Sequence, residues 1–175
     1  MTFCVLFEVA KRMFPSDKVS WTRRTLCAGL FALILLPHPG SAAGGNATGP
    51  KSVSPLAMLT IHVLKVSPRG GDVRVALYNS QTYALDNADP VADAVVPAHP
   101  GETVVTLAGV KPGIYAVKLF QDFNRNGQFD MSWIGLPLEK YGFSNDARPT
   151  FSEPPFEATR FELRPGTNAI AIHLQ

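Results

Sequence analysis

The chain has 175 residues, of which 46% are hydrophobic and 17% are charged. These values fit one compact domain with a buried core and exclude an intrinsically disordered protein. The formal net charge is +2, but the excess of basic residues lies in the first 43 positions. Residues 44–175 contain 11 Lys and Arg against 12 Asp and Glu, so nucleic-acid binding is not expected.

Residues 1–43 have the pattern of a secretory signal peptide. Arg23 and Arg24 precede an apolar run over residues 26–36, and small residues end at Ala43. A retained membrane helix is the weaker alternative, because this run is shorter than the roughly 20 residues that span a bilayer. The sequence leaves open a translation start at Met13, and either the general secretory or the twin-arginine route. We therefore expect an exported protein, periplasmic or extracellular, with no stable membrane span after processing.

The leader also contains both cysteines, Cys4 and Cys27. The mature domain would therefore have no disulfide, despite its oxidising destination. Residues 44–57 are rich in Gly, Pro and Ser and predict a flexible linker. The folded domain is expected over residues 58–175.

Beyond the linker, short alternating segments are separated by turns. Six segments show the two-residue period of half-buried strands: 59–66, 72–79, 102–107, 114–121, 159–163 and 169–174. A seventh strand is possible, as are a bulge near Leu64 and a short helical turn over residues 84–94. The turn at residues 67–71 predicts a hairpin between the first two strands. The predicted fold class is all-β, a single antiparallel β-sandwich of six to seven strands.

Five residues after the 114–121 strand have the spacing of a calcium-binding loop. They stand at relative positions 1, 3, 5, 6 and 9: Asp122, Asn124, Asn126, Gly127 and Asp130. This spacing lets alternate side-chain oxygens surround one Ca²⁺ while the glycine makes the turn, and a backbone carbonyl near Gln128 adds a further ligand. The twelfth position is Trp133 rather than a bidentate Glu, so we expect a dissociation constant of about 10⁻⁴ to 10⁻³ M.

Two alternatives to a calcium loop remain open. Asn126 and Gly127 could simply form a turn, because Asn-Gly is a strong hairpin signal. Asp122 and Asp130 could instead serve as the acid and base of a small periplasmic hydrolase, provided that a cleft surrounds them. The sequence has no G-x-S-x-G, H-E-x-x-H or phosphate-binding glycine motif, so an enzyme has no support beyond these two carboxylates.

Aromatic and polar residues are concentrated in the long connection after the loop. A ligand rim for a protein or carbohydrate could be formed there by Trp133, Tyr141, Phe143, Ser144, Asn145 and Arg148. The favoured interpretation is that the aromatic side chains pack down and anchor the connection, because each of them buries a large apolar area. Asn and Asp side chains also commonly bond the backbone of their own loop.

Several motifs in fixed order resemble one bacterial family. They are Pro112-Gly113 with Tyr115, the DFNRNGQFD loop and the YGFSNDAR segment that begins at Tyr141. Residues 59–174 thereby resemble the secreted family DUF2141, which implies an exported single domain and no known activity. The stretch LAGVKPGIYAV is also similar to a strand pair of transthyretin-like or Cna-B-like sandwiches, which often serve as binding or stalk modules. We expect a calcium-stabilised module with a role in binding or envelope structure.

Overall fold

The computed structural model describes residues 55–85, 88–150 and 152–175. The predicted signal peptide, and the predicted linker up to residue 54, lie outside these ranges. Within them, no helix is long and apolar enough to cross a membrane.

The described residues form eight strands, one short α-helix and a 3₁₀ turn at Ser144–Asp146. The strands are β1 (Ala57–Val66), β2 (Asp72–Tyr78), β3 (Ala92–Pro97), β4 (Gly101–Val110), β5 (Gly113–Asp122), β6 (Tyr141–Phe143), β7 (Phe161–Leu163) and β8 (Gly166–His173), and the helix is α1 (Phe156–Thr159). One sheet has three strands in the order β4-β1-β8, and the other has the order β3-β2-β5-β6 with β7 also paired to β5. The predicted all-β sandwich is confirmed.

The main core lies between the two sheets. Alternate residues of β1, β2 and β5 supply much of it: Leu59, Ile61, Val63, Val73, Val75, Leu77, Tyr115, Val117 and Leu119. The period of two in the sequence predicts this face correctly, because successive side chains of a strand point to opposite sides of a sheet.

The predicted hairpin between the first two strands is wrong. Strand β1 pairs with β4 and β8, whereas β2 pairs with β3 and β5. The intervening turn carries the chain from one sheet to the other through Gly70 and Gly71, whose φ angles are +78° and +86°. A Cβ on Gly71 would lie 2.1 Å from the backbone oxygen of Asp122. This crossing requires a residue without a side chain.

The sandwich is also not purely antiparallel, because β8 runs parallel to β1. Ile61 lies opposite Val105 of β4 on one side and Ile170 of β8 on the other. The expected irregularity near Leu64 is present as a register shift between Leu64 and Val66. There, the intervening Lys65 has a φ of +58°.

The strand count exceeds the predicted six to seven. Strand β3 replaces part of the helical turn considered for residues 84–94, and it pairs with β2 along the edge of the larger sheet. Strand β6 has three residues, too few for a visible period. The fifth predicted segment, 159–163, is divided between the end of α1 and the short strand β7.

The outer face of the larger sheet is buried as well. Beneath the connecting segments lie Arg74, Ala76 and Tyr78 of β2 and Ala116, Lys118, Phe120 and Asp122 of β5. Two smaller clusters cover this face, one around Phe129 and Phe143 and the other around Tyr83. The end of β5 is therefore enclosed, and the predicted calcium loop starts from a buried position.

Candidate functional site

Asp122 is the last residue of β5 and is completely buried. Its Oδ2 accepts hydrogen bonds from Nε of Arg74 at 2.6 Å and from the backbone N–H of Gly127 at 2.8 Å. Its Oδ1 accepts from the N–H of Asn126 at 3.2 Å. The carboxylate therefore fixes the start of the loop to its middle and is paired with a buried cation.

The other predicted ligands form a network around Asp130. The side-chain nitrogens of Asn124 and Asn126 donate to its carboxylate, at 2.6 Å and 3.1 Å. The side-chain oxygens of the same residues accept from the backbone N–H groups of Asn126 and Gln128, at 3.0 Å and 2.7 Å. The structure thus brings the predicted residues together, with amide nitrogens rather than oxygens facing Asp130. Gln128 is exposed.

A third carboxylate, Glu139, joins this loop and was not identified from the sequence. Its Oε1 accepts from the N–H of Phe123 at 2.8 Å, and its Oε2 accepts from the N–H of Asp130 at 3.1 Å. The residue is 5% exposed. Its one sequence signal is that it is the first carboxylate after Asp130, within a segment that has no period. Glu139 closes the loop by holding both of its ends.

The environment of Glu139 disfavours its charged form. Burial raises the pKa to about 7, the N–H groups of Asp130 and Phe123 lower it, and the charges of Asp122 and Asp130 raise it further. A nearby positive charge would relieve this repulsion.

The oxygen atoms of these side chains are of the type that binds calcium, but their present positions do not form a calcium site. The carboxylate and amide oxygens are hard ligands of the kind that Ca²⁺ prefers. Over the described ranges, however, no three His, Cys, Asp or Glu side chains are grouped so that they could hold a metal ion. Asp122 faces Arg74, and the amides of Asn124 and Asn126 donate to Asp130. Calcium binding would require these two amides to rotate so that their oxygens face the ion.

The aromatic residues after the loop mostly anchor the connection. Tyr141 packs edge-on between Phe129 and Phe143, with ring centroids 5.7 Å and 6.0 Å away. Phe129 in turn contacts Phe120 of β5 at 5.5 Å. This chain of rings attaches the connection to the outer face of the larger sheet, which is the favoured interpretation from the sequence. Trp133 is the exception and is exposed.

The polar residues of the predicted rim are divided between buried and exposed positions. Ser144 is buried, where its Oγ accepts from the N–H of Val117 at 2.9 Å and donates to the backbone oxygen of Thr159. The Asn145 side chain is exposed, although its Nδ2 donates to the backbone oxygen of Arg160 at 3.0 Å. Arg148 is exposed. Phe143 and Ser144 therefore stabilise the fold rather than offer atoms to an external ligand.

A second buried charge lies on the same face of β5. Nζ of Lys118 donates to the backbone oxygen of Tyr83 at 2.8 Å and forms an ion pair with Glu153. The ammonium also lies 4.3 Å from the ring centroid of Tyr83 and 4.8 Å from that of Tyr78. Burial, followed by the charge of Glu153, raises the pKa of Tyr78. These contacts attach the segment before α1 to the sheet.

Residues 61–171 match the family described as "Uncharacterized protein conserved in bacteria (DUF2141)". The chain belongs to the DUF2141 family. No curated protein and no solved structure matches it. Membership in DUF2141 brings no known activity with it.

The DUF2141 domain offers little support for the hydrolase alternative. A shallow groove of about 440 Å³ lies beside the loop and is lined in part by Arg69, Phe123, Glu139 and Lys140. Asp122 does not line this groove, and both of its carboxylate oxygens already accept hydrogen bonds. A general base needs access to the proton that it removes. The position of Asp122 does not favour that role.

Proposed function

We propose that this DUF2141 protein is an exported β-sandwich module with a role in binding or envelope structure, and that calcium bound by residues 122–130 stabilises it. Export is supported by the leader pattern around Arg23, Arg24 and the apolar run 26–36. The binding or structural role is supported by the small sandwich fold and by the inaccessible position of Asp122.

The observation that carries the calcium proposal is that three carboxylates belong to one loop, although their present arrangement is not one that could hold a metal ion. Asp122 begins the loop, Asp130 ends it, and Glu139 bonds to the N–H groups at both ends. Within the described part of the chain, Asp122 forms a salt bridge with Arg74, and no salt bridge involves Asp130 or Glu139. A divalent cation would reduce the repulsion among the three carboxylates.

The same geometry implies weak binding. Asp122 is already paired with Arg74, and the amides of Asn124 and Asn126 must give up their hydrogen bonds to Asp130 before their oxygens can face an ion. Glu139 supplies a carboxylate that the twelfth loop position lacks. We therefore keep the expected dissociation constant at about 10⁻⁴ to 10⁻³ M, the range of extracellular calcium modules.

Thermal unfolding in chelator and in tenfold steps of added calcium tests this proposal. An ion that binds only the folded state stabilises it by about 1.4 kcal/mol at ten times its dissociation constant. That gain should raise the melting temperature by several degrees for a domain of this size. Asp130→Ala should abolish the shift, and Asp89→Ala, an exposed change outside the loop, should preserve it. Magnesium should have a smaller effect, because its small octahedral shell suits this donor set poorly.

An unchanged melting temperature up to millimolar calcium, for a protein folded at the start, would leave the loop as a hydrogen-bonded turn. Export is tested separately by mass spectrometry of the periplasmic or secreted fraction, where the mature N-terminus should lie near Ala43 or Gly44. Recovery of the full-length chain in the cytoplasm would contradict it.

A further inference from the structure

A short hairpin follows the carboxylate loop over residues 131–138. Met131 and Pro137 form an antiparallel bridge. The N–H of Ser132 donates to the backbone oxygen of Leu136 at 2.7 Å, and the N–H of Leu136 donates to Oγ of Ser132 at 2.9 Å. At its base, the N–H of Leu138 donates to the backbone oxygen of Asp130 at 3.0 Å. These hydrogen bonds close the hairpin and join its end to Asp130, the last residue of the loop.

This hairpin exposes a concentrated apolar surface. Its exposed fractions are 90% for Trp133, 38% for Ile134, 55% for Leu136 and 56% for Leu138. They are four of the ten exposed large hydrophobic residues in the described ranges, and they fall within six consecutive positions. No charged residue occurs from 131 to 138. Clusters of this kind usually mark a binding surface, whereas single exposed apolar residues do not.

Two basic side chains lie beside the hairpin, and the half-buried carboxylate of Asp130 lies at its base. Arg69 and Lys140 line the groove whose other wall includes Pro137 and Leu138, and the Arg69 guanidinium lies 4.1 Å from the ring centroid of Phe123. Nζ of Lys140 also donates to the backbone oxygen of Lys65 at 2.8 Å. The nearby carboxylates of Asp122 and Glu139 are buried. An approaching surface therefore meets apolar side chains together with two basic groups.

We propose that the 131–138 hairpin inserts into the interface of an anionic phospholipid bilayer, with Arg69 and Lys140 contacting lipid phosphates. Trp and Leu side chains are favoured at the boundary between headgroups and acyl chains, and basic residues add attraction to anionic lipids. Trp133 is 90% exposed, so a protein partner would need a matching pocket, whereas a bilayer deforms around such a side chain. This contact is peripheral and independent of the calcium proposal.

The test uses a chain of residues 55–175, which contains both sheets and the whole core. This chain avoids the apolar leader, and Trp133 is its one tryptophan. We expect co-sedimentation with vesicles of equal parts phosphatidylcholine and phosphatidylglycerol, together with a blue shift of Trp133 fluorescence. Binding should be weaker on pure phosphatidylcholine and should decrease with salt. Chelator throughout removes any contribution from calcium.

Leu136→Ser and Leu138→Ser retain the fluorescent probe and should each weaken vesicle binding by roughly tenfold, because each removes a buried leucine side chain from the interface. Leu85→Ser, an equally exposed change elsewhere (60%), should leave binding unaltered. Arg69→Gln with Lys140→Gln should remove the preference for anionic vesicles. Circular dichroism checks that each variant is folded.

Three results would overturn the lipid proposal: no binding to either vesicle, equal binding to both, or wild-type binding by folded Leu136→Ser. A calcium-dependent melting temperature alongside any of these results would leave the calcium proposal standing.

Discussion

Nε of Arg74 donates to Oδ2 of Asp122 across 2.6 Å on the outer face of the larger sheet, where both side chains are almost fully buried. The two residues lie on neighbouring strands, β2 and β5, and the loop that follows Asp122 folds over them. A Cβ on Gly127 would lie 3.5 Å from Nη2 of Arg74. The ion pair thus links the sheet to the proposed calcium loop.

Arg74→Ala should destabilise the domain by about 3–5 kcal/mol, because it leaves the Asp122 carboxylate buried without its cation. Denaturant unfolding measures the change. The matched control is Arg164→Ala, which removes an exposed pair with Glu162 and should cost about 0–1 kcal/mol. Equal losses in the two variants would show that the burial of Arg74 has no energetic consequence.

Gly71→Ala should be far more damaging than Gly70→Ala. Both glycines have left-handed φ angles, so each substitution incurs a backbone cost of about 1–2 kcal/mol. The new Cβ meets no atom within 4 Å at Gly70, but at Gly71 it lies 2.1 Å from the backbone oxygen of Asp122. We expect Gly71→Ala to cause the larger loss of unfolding free energy or to prevent folding. Similar midpoints for the two variants would contradict this close approach.

Lys118→Met should cost about 3–5 kcal/mol, since it retains the apolar stem but removes the cation that faces Glu153 in a buried site. It also removes the hydrogen bond to Tyr83 and the contacts with two tyrosine rings. Lys111→Met, at an exposed position, is the control and should change stability little. The measurement is the unfolding free energy of each variant. A Lys118→Met variant as stable as the wild type would argue against a stabilising ion pair.

Stability in chelator should fall as the pH rises from 4.5 to 7. The folded-state pKa of Glu139 is about 7, above its ordinary value of 4.5, so folding favours the protonated carboxyl. Its contribution is complete below pH 4.5 and is lost as the pH rises through 7. The full effect is at most about 3 kcal/mol, and less where water screens the carboxylate.

The Glu139 contribution is measured from the unfolding free energy at each pH for the wild type and for Glu139→Gln, which should flatten the dependence. Asp146 titrates below this range: burial raises its pKa, but hydrogen bonds from His173 outweigh burial, and the pKa is lowered from 3.8. An identical slope in Glu139→Gln would assign the effect to another group.

The sequence predicts which residues of β1, β2 and β5 face the main core, because a buried face leaves a period of two. It does not predict the partners of these strands. The turn at Gly70 and Gly71, which carries the chain from one sheet to the other, has the composition of a hairpin turn. Only the close approach of Gly71 to the backbone of Asp122 distinguishes this connection from a hairpin. The sequence also does not predict that the outer face of β2 is buried. Arg74 is the type of residue that usually faces solvent, and its burial depends on loops that are distant in sequence.

The calcium-loop residues can be found from spacing, whereas Glu139 cannot. Asp122, Asn124, Asn126 and Asp130 are close in sequence and form one network in the structure. Glu139 reaches them after the 131–138 hairpin returns the chain to the loop. Spacing within a short window cannot detect a residue that is brought close by an intervening hairpin.

The parallel pairing of β1 with β8 sets the order in which the chain can fold during synthesis. Strand β1 lies at the centre of its three-stranded sheet, but its partner β8 is made last. Until Ile170 and its neighbours emerge, one edge of β1 lacks its backbone partners, and Ile172 is missing from the core. Contacts between the two ends of a chain form slowly. A nascent chain that stops before residue 166 would expose an open strand edge, which is a site for aggregation.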